Sequence, residues 1–186
     1  MRWTLKPKPD KRKVENLAND LQVDTNIATI LCQRNVETFE QAKSFFRPSL
    51  KNVYNPFLMK DMDVAVNRIE KALNKKENIL IYGDYDVDGT TAVSLVYSYL
   101  KNITPHIATY IPDRYKEGYG ISYAGIDFAD DNDFTLIIAL DCGIKAIDKV
   151  AYAQKKDIDF IICDHHKPGD KIPDAVAVLN PKRNDC

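Results

Sequence analysis

The chain has 186 residues, of which 45% are apolar and 28% charged, and its formal net charge is -1. This composition is typical of a globular protein with a sizeable core, and the charge alone does not indicate a nucleic-acid binder. No segment approaches the roughly 18 apolar residues of a membrane helix, and the N-terminus lacks the apolar core of a signal peptide. The four cysteines are widely spaced, so we expect reduced thiols and a cytoplasmic protein without membrane contact.

Residues 1–50 predict a small helical module. Apolar residues recur at helical spacing in three short segments, which cover residues 14–21, 25–35 and 38–46. Residues 48–56 are rich in Pro and Asn, as expected of a linker. The basic N-terminus could contact phosphates, although a solvated charged terminus is the commoner reason for such a run.

Residues 57–186 predict a doubly wound α/β domain. An amphipathic helix begins at Asp61 or Asp63 and is followed by alternating elements. Strands are predicted at 79–83, 106–111, 135–140, 159–163 and 176–179, and helices at about 90–100 and 144–155. The strands are apolar throughout, which favours a mostly parallel sheet with helices on both faces.

Three acids directly follow the first of these strands. Asp84, Asp86 and Asp88 alternate along the chain, and an extended backbone would turn all three to the same side. Carboxylates this close repel one another unless a cation neutralises them, and hard divalent ions prefer oxygen ligands. The sequence therefore predicts a metal site at the end of this strand.

The third and fourth predicted strands also end in polar residues. Asp141 follows the third, and Asp164, His165 and His166 follow the fourth. Ligands of open parallel sheets bind at the carboxyl ends of the strands, and a carboxylate can orient an imidazole towards a metal. A mixed Asp and His set suits Mn²⁺ or Mg²⁺, and five or more ligands can hold two ions roughly 3.5 to 4 Å apart. We expect metal-assisted hydrolysis of a phosphoester.

Two further segments at this edge have the composition of phosphate-binding elements. The residues after the first acids open a helix, whose free N–H groups favour an anion, and residues 111–120 add charged and aromatic side chains. The candidate substrate contacts are Gly89, Thr90, Arg114, Lys116 and Tyr119. A glycine-rich turn with solvated charges would give the same pattern in the second segment.

Four motifs carry a resemblance to a known family. They are Tyr82–Gly89, Leu140–Gly143, Asp164–His166 and Ile111–Gly120. The first three resemble the first three motifs of the DHH phosphoesterase family, and the fourth is similar to a segment typical of its RecJ branch. The resemblance implies a single-stranded-DNA-specific 5′ to 3′ exonuclease of DNA repair and recombination that uses Mn²⁺ or Mg²⁺.

The resemblance also implies a role for each site residue. The implied metal ligands are Asp86, Asp88, Asp141 and His165, with Asp84 either a ligand or a partner of one. His166 would face the scissile phosphate, and Asp164 would orient the histidines. The family has a fourth motif with another metal-binding Asp and a second domain, which these 186 residues lack. We therefore expect the N-terminal part of a longer enzyme, with weak or no activity of its own.

Four alternatives remain open. Asp84–Gly89 matches the start of a calcium-binding EF-hand loop, but the twelfth position is Leu95 instead of Glu and a strand precedes the loop. Asp86 could be the nucleophile of a dehalogenase-type phosphatase, which would leave Asp84 and the paired histidines without a role. The other two alternatives lie within the DHH family. They are a nanoRNA or cyclic-dinucleotide phosphodiesterase and a nonenzymatic DNA-binding relative.

Overall fold

The computed structural model describes residues 3–186, which form two compact units. The first consists of the described residues of Met1–Tyr54, and the second is Asn55–Cys186. The domains predicted from the sequence, residues 1–50 and 57–186, stay a prediction. The assignment of a function to each unit is a proposal.

Within residues 3–54, the first unit contains three α-helices. They are α1 (Lys11–Leu21), α2 (Thr25–Cys32) and α3 (Phe39–Phe46). The side chains of Asp10, Asp24 and Thr38 cap their N-termini by accepting hydrogen bonds from the first turn. Apolar side chains from all three helices, among them the fully buried Leu17 and Ala28, form a small core. The observed helices match the three predicted segments, except that α2 ends earlier than predicted.

The second unit is built on a five-stranded sheet. Its elements are α4 (Met62–Lys75), β1 (Asn78–Gly83), α5 (Val87–Leu100), β2 (Ile107–Tyr110), α6 (Tyr123–Asp131), β3 (Phe134–Leu140), α7 (Ile147–Gln154), β4 (Asp159–Cys163) and β5 (Ala177–Leu179). The strand order is β2-β1-β3-β4-β5, and every pair is parallel. This confirms the predicted fold class. None of the helices within residues 3–186 has both the length and the apolar content needed to cross a membrane.

Both faces of the sheet are buried, and the side chains of each strand alternate between the two faces. Ile79 and Ile81 of β1 pack in a core with residues of α4 and α5. Leu80 and Tyr82 point to the opposite face, where α6 and α7 complete a second core. Two helices therefore cover each face, and the carboxyl edge of the sheet is supported from both sides.

Two helices differ from the prediction. Helix α6 was not predicted, because only a few of its nine residues face the core and so short a segment lacks clear periodicity. The Ser122 side chain caps it by accepting the Gly125 N–H at 2.9 Å. Helix α5 begins at Val87, three residues earlier than expected, because Asp86 caps it. Asp88 consequently lies in the first helical turn and not on an extended backbone.

At the amino edge of the sheet, an ion-pair cluster around the buried Arg68 ties α4 to the strands. Arg68 of α4 is 8% exposed. Its guanidinium donates to the Asp159 carboxylate at 2.6 Å and to the Glu77 carboxylate at 2.7 Å. These acids lie at the start of β4 and just before β1, so three elements meet at one cation.

Candidate metal centre

Asp84, which directly follows β1, is a buried carboxylate without a partner. The residue is 0% exposed, and neither of its carboxylate oxygens has a hydrogen-bond partner within residues 3–186. Gly89 packs on the backbone of Asp84 so closely that a Cβ there would overlap the Asp84 carbonyl. A buried carboxylate is costly unless a cation pairs with it. The residues present at this position therefore fit a metal ion.

Asp86 and Asp88 stand at the start of α5. Asp86 caps the helix, since its Oδ1 accepts the Gly89 N–H at 2.9 Å. Asp88 is exposed in the first turn. Thr90 Oγ1 donates to the Asp86 carbonyl at 2.7 Å. The Gly89 N–H and the Thr90 hydroxyl proton are thus used within the cap, and neither is free to bind a phosphate in this conformation.

Asp141 follows β3 with a left-handed backbone, at φ 60°. Its Oδ1 lies 3.0 Å from Nε2 of His165, and its side chain is 8% exposed. The pKa of Asp141 lies above its usual value. Burial and the negative charges of Asp86 and Asp88 raise it, and the adjacent imidazoles lower it by less. Asp86 and Asp88 therefore lie close enough to Asp141 to interact with it electrostatically.

Three of the five predicted metal ligands line one cleft. Asp88, Asp141 and His165 contribute to its wall, and the cleft has a volume of about 590 Å³. Asp141, His165 and His166 also offer one ligand atom each, with all three atoms within 4.8 Å of one another. Within residues 3–186, these three form a group that could hold an ion, and the acids after β1 lie outside it. The structure thus brings together side chains that follow β1, β3 and β4.

His166 is held in one orientation by buried neighbours. The Asp164 carboxylate, 1% exposed, accepts from Nδ1 of His166 at 2.7 Å and from the Ile144 N–H at 2.9 Å. Burial raises the pKa of Asp164, but the hydrogen bonds from His166 and Ile144 outweigh it, and the pKa lies below its usual value. On the other side, Nε2 of His166 faces the Tyr119 hydroxyl at 3.2 Å. The buried Asn180 donates to the His166 carbonyl at 2.9 Å.

Tyr119 belongs to the same electrostatic environment. Although Tyr119 is 57% exposed, partial desolvation raises its pKa to about 12, with further contributions from the charges of Asp84, Asp141 and Asp164. A second hollow of about 290 Å³ opens beside it. Its lining includes Tyr119, Cys142, Lys145, Lys149, Asp164 and His166. Asp164 lines both the cleft and this hollow. His165 lines the cleft and His166 lines the hollow, so the two adjacent histidines lie between the two spaces.

The loop of residues 111–120 is ordered by its own acids. Glu117 accepts hydrogen bonds from the Asp113 N–H at 2.7 Å and the Tyr110 hydroxyl at 2.8 Å. The Asp113 carboxylate in turn accepts the Lys116 N–H at 3.0 Å. Both carboxylates are therefore used within the loop. The side chains of Arg114 and Lys116 are exposed.

The family follows from comparison with known proteins. A family model described as the N-terminal domain of the DHH family matches residues 78–186, more than half of the chain. The chain belongs to the DHH family. The resemblance seen in the motifs is confirmed, and membership of the DHH family sets aside the EF-hand and dehalogenase-type alternatives.

Two curated relatives of this DHH-family chain carry the same name. The chain is 39% identical over 186 residues to "Single-stranded-DNA-specific exonuclease RecJ" of Bacillus subtilis (strain 168), covering 100% of this chain and 24% of the relative. It is 33% identical over 126 residues to the protein of the same name from Escherichia coli (strain K12), covering 67% and 22%. The chain spans about a quarter of the length of these curated relatives.

Solved structures agree with the fold. The chain is similar to exonuclease RecJ bound to manganese, with a TM-score of 0.65 and 26% identity, covering 71% of this chain and 34% of the other. A second match is RecJ in complex with Mn²⁺ from Thermus thermophilus, with a TM-score of 0.69 and 23% identity, covering 97% and 25%. The second match supports the fold alone.

Proposed function

We propose that this DHH-family chain forms the metal-binding part of a single-stranded-DNA-specific 5′ to 3′ exonuclease of DNA repair and recombination. The observation that carries the proposal is the buried, unpaired Asp84 at the same sheet edge as the Asp141–His165 pair. Relatives named as single-stranded-DNA-specific exonucleases support the substrate, and the manganese-bound neighbour supports Mn²⁺ or Mg²⁺ as cofactor. The reaction is hydrolysis of a phosphodiester bond.

Five side chains would hold the metal. They are Asp84, Asp86, Asp88, Asp141 and His165, with Asp84 either a direct ligand or a support for one. We assign His165 and not His166, because both ring nitrogens of His166 already have partners, Asp164 and Tyr119. Nε2 of His165 lies 3.0 Å from the Asp141 carboxylate, a contact that an ion lying between them would replace. Two such ions, when bound, would supply the Lewis acidity that activates water and stabilises charge on the phosphate.

The remaining site residues would bind and orient the DNA. His166, oriented by Asp164, would face the scissile phosphate. Arg114 and Lys116 would bind phosphate oxygens, since neither side chain is neutralised by the acids of its own loop. Tyr119 would contact the terminal nucleotide beside His166. Gly89 and Thr90 would act indirectly, by holding Asp84 and Asp86 in place at the start of α5.

We place this activity in the cytoplasm, with single-stranded DNA as the partner molecule. All four cysteines are free thiols, and two of them, Cys32 and Cys142, are buried. Free buried thiols are typical of proteins from a reducing compartment. Burial raises the pKa of the Cys142 thiol, so this neighbour of the metal centre stays protonated at neutral pH.

The proposal is tested with the complete protein and a 5′-phosphorylated single-stranded 30-mer. We expect Mn²⁺-dependent release of nucleotides from the 5′ end, no release in EDTA, and little action on duplex DNA. Asp88→Ala should abolish the activity, whereas Glu40→Ala, at an exposed acid in the first turn of α3, should retain it. Faster hydrolysis of a dinucleotide than of the 30-mer would instead favour the nanoRNA or cyclic-dinucleotide alternative. Unchanged activity of Asp88→Ala would contradict the metal assignment.

A further inference from the structure

Tyr85 stands between two residues whose positions are fixed. On one side Asp84 is buried and packed against Gly89, and on the other Asp86 caps α5. The backbone of Tyr85 therefore has little freedom, and its half-buried ring leaves the end of β1 in a defined direction. Neither the metal-binding nor the phosphate-binding roles described above use this ring.

The Tyr85 ring contacts the guanidinium of Arg114. The Cζ atom of Arg114 lies over the ring, 5.3 Å from its centroid. None of the ion pairs formed within residues 3–186 includes Arg114, although several acids occupy the neighbouring strand end. The acids of its own loop, Asp113 and Glu117, are already hydrogen-bonded within that loop. Within residues 3–186, this exposed guanidinium thus lies over a ring and takes part in no ion pair.

An aromatic contact suits a cation that must later bind a phosphate. A carboxylate partner would hold the arginine but would also neutralise it and occupy its N–H donors. A ring instead attracts the guanidinium through its π-face and leaves the donors in the guanidinium plane free for phosphate oxygens. An exposed arginine without such a contact samples many rotamers, and ordering it on binding costs affinity.

The same ring also touches the substrate side of the centre. Its centroid lies 6.2 Å from that of Tyr119, at an interplanar angle of 86°. Tyr119 in turn contacts His166, with a ring-centroid distance of 6.1 Å. A continuous row of side chains therefore runs from Arg114 through Tyr85 and Tyr119 to His166.

We infer that Tyr85 is a positioning residue that holds the Arg114 guanidinium at the metal centre in a form ready to bind a DNA phosphate. The inference rests on the proposed function, since it takes a nucleic-acid phosphate as the ligand of Arg114. It assigns to Tyr85 an effect on DNA affinity that operates through Arg114 and not through direct contact with the DNA.

The experiment is a double-mutant cycle in the complete protein. The dissociation constant of a 5′-phosphorylated single-stranded 12-mer is measured with Ca²⁺ in place of Mn²⁺, so that binding is observed without turnover. We expect Tyr85→Leu to weaken binding about fivefold and Arg114→Gln about thirtyfold, and the double variant to bind no more weakly than Arg114→Gln alone. Tyr85→Phe, which keeps the ring, should recover most of the affinity. Tyr99→Leu, at an exposed ring near the far end of α5, is the matched control.

Turnover in Mn²⁺ distinguishes positioning from a general loss of structure. Tyr85→Leu should raise KM by a similar factor and change kcat less than about twofold, because the ring is assigned to binding and not to the chemical step. A fall in kcat with unchanged KM would contradict the inference.

The cycle also separates this inference from the proposed function. If Tyr85→Leu weakens binding equally with and without Arg114, the ring acts on the DNA itself and the inference is wrong. If the wild-type protein binds the 12-mer but does not cleave it in Mn²⁺, the exonuclease proposal fails while the coupling still decides the role of Tyr85. If the wild-type protein does not bind the 12-mer, both are overturned.

Discussion

The two edges of the sheet differ in whether their buried charged side chains have partners of opposite charge. At the amino edge, the buried Arg68 is paired with Glu77 and with the half-exposed Asp159, so a cation of the chain itself offsets acids there, although Nη1 of Arg68 has no hydrogen-bond partner within residues 3–186. At the carboxyl edge, Asp84 is fully buried and has no hydrogen-bond partner within residues 3–186. Removing a carboxylate from water costs several kcal/mol unless a cation offsets it. The amino edge therefore stabilises the fold, and we propose that the carboxyl edge binds a cation that comes from outside the chain.

The largest difference between the two edges is expected when the same substitution removes one charge at each of them. Asp141 at the carboxyl edge and Asp157 near the amino edge have φ values of 60° and 57°, a conformation that Asn accepts readily. We expect Asp141→Asn to lower kcat of the complete protein in Mn²⁺ about a thousandfold, because a metal ligand loses its charge. Asp157→Asn should leave kcat unchanged. Equal activities in a single-turnover assay would contradict the assignment of Asp141.

The amino edge should dominate stability. We expect Arg68→Met to lower the free energy of unfolding by about 3 kcal/mol, since it leaves two acids without their buried partner. Urea unfolding monitored by circular dichroism measures the change. The control is Lys43→Met, which removes an exposed pair with Glu40 at 3.9 Å and should cost less than about 0.5 kcal/mol. A similar loss of unfolding free energy in both variants would show that the burial of Arg68 does not add to stability.

Neutralising one acid at each edge should change stability in opposite directions. In metal-free protein, Asp84→Asn should raise the free energy of unfolding by about 1 kcal/mol, because it removes an unpaired buried charge. Glu77→Gln should lower it by about 1 kcal/mol, because it weakens the bond to Arg68. Mn²⁺ should then raise the melting temperature of the wild-type protein but not of Asp84→Asn. Destabilisation by Asp84→Asn without metal would contradict the comparison.

A smaller effect is expected from acidification of the amino edge. Burial raises the pKa of Glu77, but the hydrogen bonds from Arg68 and Thr135 outweigh it, and the pKa lies below the ordinary value of 4.5. A carboxyl whose pKa is lower in the folded state contributes stability above its unfolded pKa and loses it as the pH falls through the folded pKa. The difference in unfolding free energy between wild type and Glu77→Gln should therefore be constant near pH 7 and shrink below pH 4.5. A difference that grows on acidification would be inconsistent with this pairing.

The sequence predicted the sheet and most of its carboxyl edge, because both depend on local patterns. Apolar runs such as Leu136–Leu140 identify buried strands, and an acid directly after each run must lie at the carboxyl end of that strand. Helix α6 was not predicted, since nine residues with few buried positions carry no clear period. The environment of Asp88 was also misjudged, because the cap at Asp86 starts α5 early.

Three contributors to the site had no signal in the sequence. Asn180 holds the carbonyl of His166, and Glu117 orders the loop that carries Arg114. Tyr85 was visible only as the residue between two acids. Each acts through a contact that exists after the chain has folded, and no spacing rule connects Tyr85 with Arg114 or Asn180 with His166.

The proposed function requires one metal centre that is shared by three strand ends. Crystals of the complete protein soaked in Mn²⁺, measured by anomalous scattering, would locate the ions and identify their neighbours. We expect manganese between the Asp141–His165 pair and the acids that follow β1, with at least one of Asp84, Asp86 and Asp88 in contact with it. Manganese bound elsewhere, or bound at Asp141, His165 and His166 without any acid from the end of β1, would contradict the account.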